Sequence, residues 1–385
     1  MMHPKIIFFV FSAVLLVPLV ACTNETGLSK EEGTSNRITL TSALANDDTV
    51  GYRRANKLRD FKFPSDHGAH PGFKTEWWYY TGNLHTESGR EFGFQFTIFR
   101  SAVRPDTTQG ESTWASNDIY MGHFTVTDIK SGKFYASERF SRSGNQLAGA
   151  VADPFYVWLE DWQVKLDGES SPDGRMPVML IARAEDAELE LHLAPLKPIV
   201  LQGDKGLSQK SSAAGNASYY YSMTRLDSKG TVKIGNNSFE VTGLSWMDRE
   251  WSTSALGKDQ VGWDWFSLHL PDGRDLMYYQ LRLTDGSPDP LSKGVIVEPD
   301  GTKKEFTAAD IELSVQDYWD SPLGGTYPSA WTLNVERLGI ALNLKSLLPN
   351  QELDVTVRYW EGAVSVKTGS GDTGRGYVEM TGYAD

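Results

Sequence analysis

Two carboxylic acids lie two residues apart inside a tryptophan-rich segment, residues 245–251, which reads SWMDREW. Side chains on a β-strand alternate between its faces, so Trp246, Asp248 and Glu250 share one face and Arg249 lies on the other. Neighbouring carboxyl groups beside an aromatic wall raise each other's pKa, which keeps one of them protonated near neutral pH. The segment therefore predicts a catalytic general acid at Asp248 or Glu250. Ion pairing with arginine is an equally good explanation for both acids.

Two further acids stand among aromatic residues. In residues 76–80, EWWYY, Glu76 shares a strand face with the second tryptophan, whereas in residues 262–266, GWDWF, Asp264 lies opposite both tryptophans. We predict a catalytic role for Glu76 and a ligand-binding role for Asp264, but the alternative of a structural ion pair is favoured for each. The arginines available for such pairs are Arg100, Arg225, Arg249 and Arg282.

A loop before the first aromatic strand, residues 66–70, reads DHGAH. Histidine and aspartate both coordinate zinc, but no complete set of four ligands can be assembled from the sequence, so we predict no metal site. We instead predict a hydrogen-bonding or general-base role for His70 beside the mouth of a barrel. The chain has no HExxH, CxxC, GxSxG or Walker motif, and we predict no cofactor.

Aromatic residues make up 12% of the chain, and many of them occupy strand positions. A barrel with aromatic walls would suit an apolar ligand. The alternative is that most of these rings fill the core, and for any single ring that is the better explanation. The candidate ligand-binding aromatics are Trp77, Trp78, Tyr80, Trp246, Trp251, Trp263 and Trp265.

The elements that must position these groups are short β-rich runs separated by turn signals. No segment keeps a helical apolar period for three turns. The spacing is typical of antiparallel sandwiches or barrels, so we predict an all-β protein. The turn signals are Ser88-Gly89, Ser131-Gly132, Asp173-Gly174, Lys229-Gly230, Asp272-Gly273 and Asp300-Gly301.

Two hairpins resemble copies of one unit. Residues 77–84 (WWYYTGNL) and 263–270 (WDWFSLHL) are each followed by a Gly-Arg pair and by an apolar strand with a central glutamine. The repetition predicts two similar β-domains, each opened by one hairpin. Chance similarity between two aromatic hairpins is the alternative.

The N-terminus predicts export and lipid attachment. Lys5 precedes an apolar run at residues 6–17, which is too short to span a membrane and is typical of a signal peptide. Residues 19–22, LVAC, resemble the bacterial lipobox, and Cys22 is the only cysteine of the chain. We expect a signal peptide over 1–21 and a diacylated Cys22 that anchors the protein to a membrane.

The segment after the cysteine predicts where the protein resides. Residues 22–59 are expected to form a flexible linker, since residues 23–37 are polar and lack aromatic side chains. Thr23 replaces the aspartate of inner-membrane retention signals, so a Gram-negative cell would hold the protein on the periplasmic face of its outer membrane. The net charge of −13 argues against nucleic acid as a partner.

Several longer motifs together resemble the AttH and carotenoid 1,2-hydratase (hydroxyneurosporene synthase) family, over about residues 60–385. The similarity is closer to the AttH-like secreted branch. It implies two lipocalin-like (calycin-type) β-barrel or half-barrel domains, at 60–250 and 251–385. The motifs are PSDH (64–67), KTEWWYYTGNL (74–84), FGFQFT (92–97), YYSMTRL (220–226), SWMDREWST (245–253), GWDWF (262–266), YWEG (359–362) and GYVEMTGY (376–383).

The resemblance also implies candidate functions. Some relatives add water to a terminal double bond of an acyclic carotenoid without a cofactor, and AttH-like relatives are described as secreted hydrolases or companions of ABC transporters. The family's Asp-His-Glu-Trp motif has histidine where this chain has Arg249.

Three hypotheses follow. The preferred one is a lipid-anchored protein that binds an apolar, isoprenoid or lipid-like molecule, in association with an ABC transporter. The alternative is a cofactor-free hydratase or hydrolase. In it, Asp248 or Glu250 protonates an alkene, aromatic faces stabilise the cation, and a carboxylate or His70 deprotonates water. A structural envelope lipoprotein without a small ligand is the third.

Overall fold

The computed structural model describes residues 38–39, 49–105, 116–254 and 256–383. Nearly all of the regular structure in these residues is β-strand, and the helical parts are short 3-10 turns at Ser65–His67, Gly144–Gln146 and Glu336–Leu338. The first strands are β1 Ile38–Thr39, β2 Thr75–His85, β3 Glu91–Ala102, β4 Asp118–Asp128, β5 Lys133–Arg142, β6 Ala148–Ala152, β7 Phe155–Leu159, β8 Trp162–Leu166, β9 Val178–Arg183, β10 Ala187–Pro195, β11 Val200–Leu201, β12 Leu207–Gln209, β13 Ala217–Ile234 and β14 Asn237–Ser252.

The remaining strands belong to a second sheet, which β1 also joins by pairing in parallel with β23. They are β15 Gln260–His269, β16 Asp275–Leu283, β17 Lys293–Val297, β18 Lys303–Thr307, β19 Glu312–Asp320, β20 Thr326–Val335, β21 Ile340–Ser346, β22 Glu352–Leu353, β23 Val357–Thr368 and β24 Thr373–Met380. Both sheets lie within one compact unit of the chain.

The first sheet has the strand order β5-β4-β3-β2-β14-β13-β10-β9-β8-β7-β6, and its two ends curl towards each other. Trp162 on β8 packs against Phe96 and Phe124 on β3 and β4, with ring centroids 6.0 and 5.8 Å apart. Arg139 on β5 also forms an ion pair with Asp161, between β7 and β8. The sheet is therefore a nearly closed barrel with its own apolar core.

The second sheet repeats the beginning and end of the first. Its order is β18-β17-β16-β15-β24-β23-β21-β20-β19. In the first sheet the hairpin β2–β3 pairs with the last long strand, β14; in the second the hairpin β15–β16 pairs with the last strand, β24. The two hairpins noted in the sequence therefore hold equivalent topological positions. The second sheet is a half-barrel around a separate core.

The predicted all-β class, with two antiparallel barrel or half-barrel sheets, is confirmed. One predicted turn is wrong, because Lys229-Gly230 lies within β13 and pairs with β10 and β14. Gly230 has φ +155°, and a Cβ there would lie 2.0 Å from the backbone oxygen of Glu190. The glycine therefore permits close approach of two strands rather than a reversal of the chain.

Buried ion pairs join the two sheets. Asp275 on β16 is fully buried and contacts Lys197, which follows β10, at 2.7 Å. It also accepts a 2.7 Å contact from Arg225 on β13. Because each partner would otherwise be a desolvated charge, this arrangement fixes the second sheet against the first.

A second buried cluster lies inside the first barrel. Glu76 on β2 has no exposed surface and pairs with Arg100 at 2.7 Å and with Arg249. Burial alone would raise the pKa of Glu76, but the two guanidinium groups outweigh burial and hold it well below its usual range. Arg249 also lies 4.0 Å from the ring centre of Trp78 and donates a 2.6 Å hydrogen bond to the Gly68 carbonyl. The cluster ties the loop before β2 to the barrel wall.

Replacing Glu76 by glutamine should destabilise the protein by about 3–5 kcal/mol, because Arg100 and Arg249 would remain buried with their charge unpaired. Urea unfolding followed by circular dichroism measures the difference. The exposed Glu87→Gln is the control, expected within about 0.5 kcal/mol of wild type. Because the folded-state pKa of Glu76 is depressed, its stabilisation is present above the unfolded pKa of about 4.3 and is lost as the pH falls. Wild-type stability in the variant would contradict this role.

Candidate functional site

A narrow cleft of about 80 Å³ lies between the two sheets, on the side of β2 and β14 that faces away from the barrel core. The alternation along these strands decides what enters it: Trp78 and Arg249 point into the barrel, whereas Trp77 and Asp248 point into the cleft. The lining residues are Trp77, Tyr79, Phe99, Lys210, Tyr220, Asp248, Glu250, Leu256, Trp263, Trp265, Tyr279, Leu281 and Glu379.

Asp248 is held in the cleft wall by three hydrogen bonds. Tyr220 and Ser222 donate to its two carboxyl oxygens at 2.5 Å each, and the indole N–H of Trp246 donates at 2.7 Å. Burial raises the pKa of Asp248 to about 7; the charge of Glu250 adds to this rise, whereas the three hydrogen bonds oppose it. The carboxyl group is therefore poised to hold or release a proton near neutral pH.

Glu250 has a different environment, although it lies on the same strand face. Its carboxylate contacts the ammonium of Lys210 at 3.1 Å, and both side chains are almost buried. Burial lowers the pKa of Lys210, but Glu250 and Tyr279 outweigh burial and keep it above the usual value. Lys210 is the one cationic side chain among the described residues that line the cleft. The Glu250–Lys210 ion pair therefore lies beside Asp248 on the same strand face.

The opposite wall contributes a second pair of acids. Glu379 on β24 accepts a 2.8 Å hydrogen bond from the indole N–H of Trp263, and Glu361 on β23 accepts one of 3.0 Å from Tyr79. Burial raises the pKa of Glu379 to about 8, with further contributions from Asp248 and Glu250. Burial and the neighbouring Glu379 also raise the pKa of Glu361 well above its usual value. Burial thus favours the protonated form of both acids.

Aromatic rings enclose the space between these acids. Tyr79 meets Trp265 edge to face, with ring centroids 5.2 Å apart, and Trp77 lies 6.3 Å from Phe99. The indole N–H of Trp265 donates to the Tyr220 hydroxyl at 3.3 Å. The walls are therefore apolar over most of their area, with carboxyl groups at a few fixed points.

Comparison with known proteins agrees with this architecture. Residues 54–383 match the family model described as AttH-like. The chain belongs to the AttH-like family. No curated protein matches this AttH-like chain significantly in sequence.

Solved structures show the same fold. A crystal structure of a protein assigned as AttH from Nitrosomonas europaea is 32% identical, covers 86% of this chain and 99% of its own, and has a TM-score of 0.74. Kievitone hydratase from Nectria haematococca is 13% identical, with coverages of 86% and 96% and a TM-score of 0.64. CghA, solved with Sch210972, is 12% identical, with coverages of 88% and 96% and a TM-score of 0.52. The resemblance stated from the sequence motifs is confirmed.

The AttH-like structure brings some of the predicted site residues together. Asp248 and Glu250 line the cleft with Trp77, Trp263 and Trp265. Trp246 is fully buried behind Asp248, to which it donates a hydrogen bond.

Other predicted site residues lie inside the first barrel rather than in the cleft. Glu76 is enclosed by arginines, and His70 contacts it at 3.2 Å while stacking on Trp251 at 3.7 Å between ring centres. Trp78 and Tyr80 belong to the same barrel core. These residues face away from Asp248, so the structure does not place His70 or Glu76 where they could act on a ligand in the cleft.

Asp264 lies on the face of β15 opposite the cleft tryptophans. It contacts Arg282 at 3.2 Å and accepts a 3.1 Å hydrogen bond from Tyr383. Burial raises its pKa to about 6 despite these partners. Its surroundings fit the structural alternative considered from the sequence, and it does not line the cleft.

Many residues of the cleft were not predicted from the sequence. Tyr79 could have been found, because strand alternation places it with Trp77. Tyr220 and Glu379 lie in motifs shared with the family, but nothing in the sequence shows that β13 and β24 face one cleft. Lys210 follows a three-residue strand and has no local signal.

The loop at residues 66–70 packs at the end of the barrel. Asp66 pairs with Arg59 at 2.7 Å and with His70 at 3.2 Å, and His67 contacts the Tyr221 hydroxyl at 2.6 Å. Within the described parts of the chain, no three His, Cys, Asp or Glu side chains are grouped to hold a metal ion. The same residues contain no helix that is long and apolar enough to cross a membrane. Cys22 lies outside them.

Removing the Tyr220 hydroxyl should raise the pKa of Asp248 by roughly half to one unit, because its hydrogen bond favours the ionised carboxylate. In infrared spectra of the wild-type protein, the band of the protonated Asp248 carboxyl group should titrate with a pKa of about 7. In Tyr220→Phe the same band should titrate at higher pH. Asp248→Asn identifies the band by deleting it. Tyr318→Phe, at a position 60% exposed, is the matched control and should titrate as wild type. A Tyr220→Phe titration at or below the wild-type midpoint would contradict the assignment.

Proposed function

We propose that the cleft adds water to a carbon–carbon double bond of a largely apolar substrate. The observation that carries the proposal is that a buried Asp248, whose pKa is raised to about 7, shares one strand face with Glu250, which forms an ion pair with Lys210. A proton donor and a proton acceptor at neighbouring positions are what a hydration needs. The fold shared by AttH-like proteins and kievitone hydratase supports the proposal.

In the proposed reaction, Asp248 gives its carboxyl proton to one alkene carbon, which leaves a carbocation at the other carbon and a carboxylate at Asp248. The faces of Tyr79 and Trp265 stabilise the cation, since aromatic rings attract positive charge. Water forms the new C–O bond and loses a proton to the Glu250 carboxylate. Return of that proton to Asp248, directly or through solvent, restores the starting state. The steps of this mechanism need no cofactor.

Glu250 forms an ion pair with Lys210. At 3.1 Å the ammonium balances the charge of the carboxylate in a largely buried place. Arg249, at the position of the family's histidine, supports the wall from the barrel side instead. Its guanidinium bonds to the carbonyl oxygen of Trp77 at 3.3 Å and to that of Glu250 at 3.0 Å. We therefore assign Arg249 to positioning of the two strands and not to proton transfer.

Asp248→Asn should lower turnover at least a hundredfold, roughly the smallest effect expected for loss of a general acid. The measurement is incubation with a panel of apolar alkenes in oxygen-18 water, with mass spectrometry of products that have gained one labelled water. Glu250→Gln should have a similar effect, and both variants should still quench tryptophan fluorescence on binding an alkene.

The exposed Asp227→Asn on β13 is the matched control, because it makes the same chemical change outside the cleft and should retain turnover. Turnover that survives both cleft substitutions would overturn the mechanism. An AttH-like protein that binds panel members but hydrates none would instead favour the second candidate, a carrier that delivers its ligand to an ABC transporter. The aromatic walls of the cleft support that candidate equally.

We also propose that the protein is exported and anchored by lipid at Cys22, on the strength of the lipobox-like LVAC segment. Cells grown with labelled palmitate should label the wild-type protein and not Cys22→Ser. Ser29→Ala, in the polar segment after the cysteine, is the control and should remain labelled. Labelling of Cys22→Ser would contradict lipidation at this residue.

A further inference from the structure

The acids of the opposite wall, Glu361 and Glu379, have no part in the reaction described above. They face each other directly across β23 and β24, a register in which the Cβ atoms are about 4.5–5.5 Å apart. Neither has a lysine or arginine partner among the described residues. Two carboxylates this close in a buried place cannot both be ionised, so the pair retains at least one proton.

The hydrogen bonds around the pair show which atom can reach a ligand. Oε1 of Glu379 accepts from Trp263, and no described residue bonds to its Oε2. Because Oε1 is an acceptor, the proton of the neutral carboxyl group resides on Oε2. Glu379 lines the cleft, so this O–H is a donor available to a bound molecule.

Glu361 lies beside Glu379 on the neighbouring strand, β23, and does not line the cleft. It is completely buried, its Oε2 accepts from Tyr79, and its Oε1 has no hydrogen-bond partner. A neutral Glu361 adds no negative charge behind Glu379. The titratable groups near Glu379 include Tyr79 and Tyr359, whose pKa values it helps to raise, and Lys210, which lines the same cleft. Asp248 and Glu250 face Glu379 from β14 and favour its protonated form.

A hydrocarbon in the cleft would cover this donor without replacing the hydrogen bonds that water makes to it, and that loss disfavours binding. We propose that Glu379 donates a hydrogen bond to a carbonyl or hydroxyl oxygen of the substrate, so that the cleft takes oxygen-bearing apolar molecules in preference to pure hydrocarbons. The inference rests on the proposed function, since it names the substrate class of the same cleft. It narrows the isoprenoid or lipid-like ligand expected from the sequence.

A matched pair of probes tests the proposal without any turnover. 2-Acetylnaphthalene and 2-isopropylnaphthalene are similar in size and shape, but only the first presents a carbonyl oxygen, and neither has a side-chain alkene that could be hydrated. Isothermal titration calorimetry at pH 6 should show the ketone binding about five- to tenfold more tightly, the ratio expected for one net hydrogen bond. The infrared carbonyl band of the bound ketone should also shift to lower frequency than in hexane.

The pH dependence and three variants identify the donor. The preference for the ketone should decline as the pH rises through about 8, when Glu379 loses its proton. Glu379→Leu should remove the preference at every pH, whereas Glu379→Gln should keep a preference that no longer depends on pH, because an amide N–H always donates. Asp248→Asn removes a neighbouring negative charge, so the decline should move to lower pH.

Equal binding of the two probes by wild type, binding of neither, or an unchanged preference in Glu379→Leu would overturn the inference. Asp354→Leu, at an exposed position outside the cleft, is the control and should behave as wild type. A wild-type preference for the ketone in a protein that hydrates no alkene would contradict the proposed reaction but leave the role of Glu379 intact. Hydration of alkenes by a protein with no preference for the ketone would support the proposed reaction and contradict the role of Glu379.

Discussion

The two-residue period of β2 and β14 is the constraint on which the other features depend. Each strand lies between the barrel core and the cleft, so successive side chains point alternately into one and then the other. The period sends Glu76 and Arg249 into the barrel, and Trp77, Asp248 and Glu250 into the cleft. A register slip of one residue would exchange the two sets and place an arginine where the acid now lies.

The pKa values of buried acids shift in opposite directions on the two sides of β2 and β14. Glu76 has two guanidinium partners, which more than offset burial and keep it ionised. Asp248 has only neutral donors, so burial dominates and its pKa rises to about 7. Both acids are buried between strands, and they differ in their partners rather than in their depth. Glu76 therefore stabilises the barrel through ion pairs, whereas Asp248 can gain or lose a proton near neutral pH.

The sequence was informative where the determining interactions are local. Alternation correctly grouped Trp246 with Asp248 and Glu250 and put Arg249 on the other face, and turn signals and aromatic runs were sufficient for the all-β class. The sequence did not reveal which strands come together across long stretches of the chain. Glu379 is more than a hundred residues from Asp248 in sequence, and only the meeting of two sheets brings them to one cleft. Gly230 shows the same limit, because the strand packed against it, and not its neighbours in sequence, explains the glycine.

The repeated hairpin has a consequence for how the cleft could arise. Asp248 pairs in register with Tyr79 on the first hairpin, and Glu379 pairs with Trp265 at the matching place on the second. The two acids thus occupy corresponding positions of two similar folding units. Around them the correspondence fails, because Ser222 lies beside Asp248 where Glu361 lies beside Glu379. Two identical halves would present the same acid on both walls, whereas here the acids, their cross-strand neighbours and their hydrogen-bond donors differ and give the walls separate chemical identities.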